Sequence, residues 1–139
     1  MPEPISYLLK PVGFIQSTIK RREEAPKQGY ESAPDAWLEL IEETVAALDG
    51  IMPGDEIILI TWFHLSQRNV LKVHPRGDKN NPLTGVFATR SPDRPNPLGL
   101  HRVKVLEISG NRVKVGPLEA LDGTPVVDIK PVLSGSQDS

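Results

Sequence analysis

Residues 100–109 (LHRVKVLEIS) and 112–115 (RVKV) alternate β-branched and charged side chains, and only Gly110-Asn111 separates them. Two alternating strands joined by a two-residue Gly-Asn link specify an antiparallel hairpin. Similar short apolar segments recur along the chain: 11–17 (PVGFIQS), 56–63 (EIILITWF), 70–74, 83–89 and 125–129 (PVVDI). The run at 56–63 is the most hydrophobic and reads as a central strand buried on both faces. Residues 36–42 (AWLELIE) fit period 2 and period 3.6 equally. Residues 42–48 (EETVAAL) suit a helix, with glutamates in the first turn and Asp49-Gly50 as the stop. Short strands with turns roughly every 8–12 residues and one short helix predict a mainly β fold, a small single-sheet β-barrel. One domain over residues 1–139 is expected, with a core at about 11–133 and a disordered tail at 134–139.

Several function classes are excluded or disfavoured by what the chain lacks. There is no Gly-x-Gly and no Gly-Lys-Ser/Thr, so neither a dinucleotide fingerprint nor a Walker loop is present. No apolar run approaches the roughly 18 residues of a membrane helix, and the start has no signal-peptide pattern. Absence of cysteine removes thiolate metal sites and suits a cytoplasmic location. His64, His74 and His101 lack metal-ligand spacing, so no metal is expected. The net charge of −2 hides an uneven distribution: residues 61–104 carry eight Lys/Arg against two Asp/Glu. Such a segment can form a local anion-binding face.

Four constellations could carry chemistry. Residues 85–99 (GVFATRSPDRPNPLG) interleave Pro92, Pro95 and Pro97 with Arg90 and Arg94, a stiffened loop that can hold two guanidinium groups for an anionic ligand. A structural turn with solvated arginines is the alternative. Trp62-Phe63-His64 at a strand end could stack on a flat ring and hydrogen-bond its edge, or be core aromatic and rim histidine. Lys72 to Asp78 could contact phosphates or form a solvated turn. At 118–130, Asp122 and Asp128 could accept ribose hydroxyls, or cap a turn and pair with Lys130 respectively.

Taken together, APKQG (25–29), WFHLS (62–66), LKVHPRGD (71–78), GVFATRSPDRPNPLGL (85–100) and LEALDGTPVVDIKP (118–131) resemble the TsaA/YaeB-like (TrmO-type) tRNA adenine N6-methyltransferase family. The resemblance runs from about residue 11 to 133 and is nearest the short, archaeal-type members. It implies a non-Rossmann, β-barrel, S-adenosylmethionine-dependent methyltransferase working as a homodimer on tRNA. The implied acceptor is N6 of N6-threonylcarbamoyladenosine beside the anticodon. A non-catalytic adenine-nucleotide or RNA-binding barrel, or a different acceptor, are the alternatives.

The resemblance also distributes roles. Phe63, His64, Arg90, Ser91, Leu98, Asp122 and Thr124 are expected to bind the donor. Lys27, Gln28, Lys72, Arg76, Lys79, Arg94 and Asn96 are expected at the RNA or acceptor base. His64, Asp122 and Asp128 are the candidates for a general base at the acidified N6. The family's Pro-Arg-Gln stands here as Pro26-Lys27-Gln28, which keeps the charge but loses the two-pronged donor.

Overall fold

Alternate apolar residues turn one face of each strand inward and fix both curvature and register. The computed structural model describes residues 4–26 and 32–133. Lys27, Gln28 and the tail at 134–139 lie outside the described residues. The strands are β1 (Gly13–Gln16), β2 (Ala36–Leu40), β3 (Glu56–Trp62), β4 (Lys72–Val73), β5 (Thr84–Gly85), β6 (Leu98–Ser109), β7 (Arg112–Gly116) and β8 (Pro125–Pro131). Six close into a barrel in the order β1-β2-β7-β6-β3-β8, all pairs antiparallel. Closure leaves the barrel itself without an edge, β4 and β5 pair as a separate two-stranded sheet, and the missing Gly-rich loop of a Rossmann fold accords with the topology.

The hairpin at Gly110-Asn111 forms between β6 and β7, with Ser109 opposite Arg112. Gly110 has φ +62° and Asn111 stays on the negative side. That is the type II′ pattern, which needs glycine first. Two irregularities bend the wall. Val105 faces Val115 while Glu107 faces Lys114, which leaves Leu106 as the extra residue. On β8, Asp128 faces Ile60 while Val126 faces Thr61, which leaves Val127 extra. Each bulge increases local twist and helps a short sheet close.

Inside the barrel Ile15, Leu38, Leu59, Val103, Val105, Val113, Val115 and Val126 form the core. Full burial of each such side chain is worth about 1.5–3 kcal/mol. Leu118 and Ala120, after β7, complete one end.

Two sequence expectations change. Residues 36–42 resolve as strand up to Leu40, and residues 42–48 form a 3₁₀ rather than an α helix. Thr44 holds the Ile41 carbonyl with both its N–H (2.9 Å) and its hydroxyl (2.8 Å), an i−3 pattern that tightens the turn. The strands expected at 70–74 and 83–89 shrink to the two-residue β4 and β5. Val86–Ala88 is instead a 3₁₀ turn. The carbonyls of Val86 and Thr89 both accept from Arg94.

Candidate functional site at one end of the barrel

Strand direction gathers the singled-out residues. β3 ends at Trp62 opposite Leu98, where β6 begins, and the Phe63 N–H donates to the Pro97 carbonyl at 2.8 Å. β8 begins at Pro125 opposite Phe14 of β1, and Val126 faces Thr61. The last residues of β1 and β3 and the first of β6 and β8 therefore share one barrel end. Phe63, His64, Leu98, Asp122 and Thr124 lie there. The β3–β6 crossover, residues 63–97, leaves from and returns to this end with Arg90 and Ser91. It carries six Lys/Arg against two Asp/Glu, so most of the basic excess sits in one excursion.

The Pro-rich loop is held by its own arginine. Arg94 donates from Nε to the Ser91 carbonyl (2.8 Å) and from Nη2 to the carbonyls of Val86 and Thr89 (both 2.6 Å). Arg94 was expected at RNA phosphates; here its guanidinium positions the loop. Asn96 is exposed, and its Oδ1 accepts from Arg68 Nη2 at 2.8 Å. Asp93 accepts the Gln67 N–H at 2.9 Å, and Arg94 returns its own N–H to the Gln67 carbonyl at 3.1 Å. With these bonds made, Arg90 is left exposed, with no hydrogen bond or ion pair among the described residues.

The second wall is the turn before β8. Asp122 accepts the Ser17 N–H at 3.0 Å and pairs with Lys20 Nζ at 3.0 Å. The Ser17 N–H and the bond to Lys20 hold its carboxyl below the usual value of 3.8. The turn is laced to β1: the N–H groups of Asp122 and Gly123 reach the carbonyls of Ile19 and Ile15, both at 2.7 Å, and the Ile15 N–H reaches the Thr124 carbonyl at 2.9 Å. Thr124 is buried. Beside it lies an open cleft of about 500 Å³ lined by Gln16, Ser17, Lys20, Asp35, Trp37 and Asp122, among others.

Other expected residues fall elsewhere. Asp128 lies on β8 opposite Ile60, pairs with Lys130 at 3.3 Å and accepts the Ile129 N–H. It is a wall residue in a surface ion pair, two residues along β8 from Val126. Lys72 is exposed on β4 and Lys79 in the following turn. Arg76 sits in the turn at Pro75–Gly77 with φ +59°. The histidines serve separate places: His64 exposed at the mouth, His74 bonded to the Asn81 carbonyl, His101 inside the barrel.

Sequence reasoning missed two features. Arg68 was not singled out, although it ties Trp62 to the Pro-rich loop. His101 was considered only as a metal ligand. It is bonded at Nδ1 to Glu119 (2.5 Å) and at Nε2 to Thr61 (2.7 Å). Its place in register with Val103 and Val105, on the inward face of β6, was the available signal.

Comparison with known proteins decides the lineage. A model of the tRNA-methyltransferase O N-terminal domain matches residues 14–138. The chain belongs to the tRNA-methyltransferase O family. A "probable S-adenosyl-L-methionine-binding protein" of Methanocaldococcus jannaschii is 43% identical over 128 residues, covering 89% of this chain and 90% of that protein. An S-adenosyl-L-methionine-binding protein of Archaeoglobus fulgidus is 42% identical over 123 residues, covering 88% and 87%. The crystal structure of a tRNA-methyltransferase O protein from Pseudomonas aeruginosa superposes with a TM-score of 0.76 at 29% identity. It matches 99% of this chain, which spans 61% of that longer one. The six-stranded barrel is thus the tRNA-methyltransferase O fold.

Proposed function

We propose that this protein is an S-adenosylmethionine-dependent tRNA methyltransferase, acting on N6 of N6-threonylcarbamoyladenosine beside the anticodon. One observation carries the reading. In a member of this family, the half-buried ring of Phe63 and the Asp122 carboxylate, held by the Ser17 N–H, lie at one barrel end, and the crossover that carries the exposed Arg90 leaves from and returns to that end. These groups fit the donor's chemistry: a ring for stacking, a cation for the methionine carboxylate, and an anion for ribose hydroxyls. Bound there, the donor supplies the methyl group as a sulfonium.

The chain's own part is to bind, align and exclude water. Phe63 and the exposed side chain of Leu98 flank the adenine. Ser91, whose N–H is held by Thr89 Oγ1 at 3.1 Å, stands beside Arg90. Thr124 fixes the turn that carries Asp122. A lowered pKa makes Asp122 a poor base. That leaves His64, exposed at the mouth, as the residue to receive the acceptor proton. Lys72 and Lys79, and the segment with Lys27 and Gln28, are assigned to RNA phosphates and the acceptor base.

The same reading makes the chain one cytoplasmic domain acting as a homodimer. Leu65, Leu71, Leu83, Phe87, Leu98 and Leu100 are all large, exposed and within or beside the crossover. So much apolar surface favours a covered face. Sedimentation should give twice the chain mass, and a monomer at assay concentration would contradict the dimer. For the donor, saturation at about 100 times the dissociation constant should stabilise the fold by roughly 2.7 kcal/mol. Absence of a melting shift would remove the donor from the proposal.

A further inference from the structure

His101 is 3% exposed inside a barrel lined mostly by aliphatic side chains, with Thr61 and Thr124 also buried. Both ring nitrogens are used: Nδ1 faces Glu119 Oε1 at 2.5 Å and Nε2 faces Thr61 Oγ1 at 2.7 Å. With Glu119 as acceptor the hydrogen sits on Nδ1, and bonds at both nitrogens set the imidazole plane. Against that plane Phe63 packs edge to face, with centroids 5.8 Å apart and planes at 81°. A buried histidine is expensive to hold, and an aliphatic residue would fill the layer more simply.

Gly99 explains what the arrangement is for. It sits on β6 opposite Thr61. A Cβ there would lie 2.5 Å from Thr61 Oγ1, 2.7 Å from His101 Nε2, and in collision with Phe63 Cζ. The tip of the Phe63 ring, the imidazole and the threonine hydroxyl therefore meet over one bare Cα. Phe63 has its N–H fixed by Pro97 and its ring fixed by this layer.

We propose that the His101–Glu119 pair and the bare Cα of Gly99 act as positioning residues that fix the Phe63 ring in the donor pocket. The inference rests on the donor reading above. Neither His101 nor Gly99 touches the donor; they act through the ring. Glu119, 15% exposed by its side chain, anchors the imidazole.

The test is calorimetric binding of S-adenosylhomocysteine, with initial-rate kinetics in S-adenosylmethionine, on the full chain. Gly99→Ala and Glu119→Ala should weaken binding by about tenfold, the scale of one aromatic contact. KM for S-adenosylmethionine should rise while kcat at saturation is kept. Glu119→Gln, which retains an acceptor for Nδ1–H, should restore most of the affinity. Val103→Ala, one inward position deeper on β6, loosens the same wall without reaching Phe63 and should leave affinity unchanged. If Gly99→Ala does not fold, the Glu119 pair carries the comparison. Equal binding by wild type and Glu119→Ala would overturn the proposal, as would an equal loss in Val103→Ala. No binding by wild type would instead overturn the donor reading on which it rests.

Discussion

Arg68 lies over the Trp62 ring, its guanidinium carbon 5.1 Å from the ring centroid. From there Nε reaches the Pro95 carbonyl at 2.7 Å and Nη2 the Asn96 side chain at 2.8 Å. One side chain thus ties the last residue of β3 to the Pro-rich loop that presents Arg90. Arg68 and Arg94 thus constrain the loop alongside its prolines.

Arg68→Ala should lower stability by about 1 kcal/mol, the scale of an exposed cation–π contact plus exposed hydrogen bonds. The donor affinity should fall with it. Arg68→Lys keeps the charge but loses the planar fork, so it should not rescue either property. Denaturant midpoints and donor titrations on both variants check this; full rescue by lysine would show that charge alone matters.

The arginines and lysines of the crossover should separate by salt dependence. Lys72→Ala and Lys79→Ala should each reduce the slope of log tRNA affinity against log salt by about 0.7–0.9, one phosphate contact. Arg94→Lys, which removes the guanidinium's bonds to three carbonyls inside the loop, should weaken binding at every salt concentration and leave the slope unchanged. A lower slope for Arg94→Lys would return that residue to the phosphates.

Asp122 gives the fold a pH signature at the acid end. Its carboxyl titrates lower in the folded chain than its ordinary value of 3.8, because the Ser17 N–H and Lys20 favour the charged form. Its contribution is complete above that value and is lost as pH falls through the lower folded value. Asp122→Asn should therefore be less stable than wild type at neutral pH, and the gap should close below about pH 4. A gap that does not change with pH would mean the ion pair contributes nothing.

Gly110 should tolerate no side chain cheaply. Gly110→Ala places a Cβ at φ +62° and should cost about 1 kcal/mol by thermal or chemical denaturation. A neutral result would mean that the hairpin can adopt another turn.

The barrel was largely legible because its signals are local. Alternation through Val103 and Val105 and the Gly110-Asn111 link specify β6 and β7 without reference to the rest of the chain. The short β4 and β5 were overestimated, since Val86 and Thr89 look like strand residues, whereas Val86–Ala88 turns as 3₁₀ and the Val86 and Thr89 carbonyls accept from Arg94, several residues on. In sequence Asp122 sits in a Gly-bearing turn and Asp128 in a strand near Lys130. The structure adds their places: Asp122 accepts the Ser17 N–H before β8, and Asp128 lies opposite Ile60 on the wall. The roles of Arg68, Glu119 and Gly99 depend on contacts between distant segments, which residue type and spacing do not encode.

The most direct test is mass spectrometry of nucleosides from tRNA bearing N6-threonylcarbamoyladenosine, incubated with this protein and S-adenosylmethionine. The account predicts that this nucleoside gains the mass of one methylene, and that Arg90→Ala abolishes the gain at low donor concentration. Donor binding with no mass change in any nucleoside would contradict it and leave a barrel that binds without catalysing.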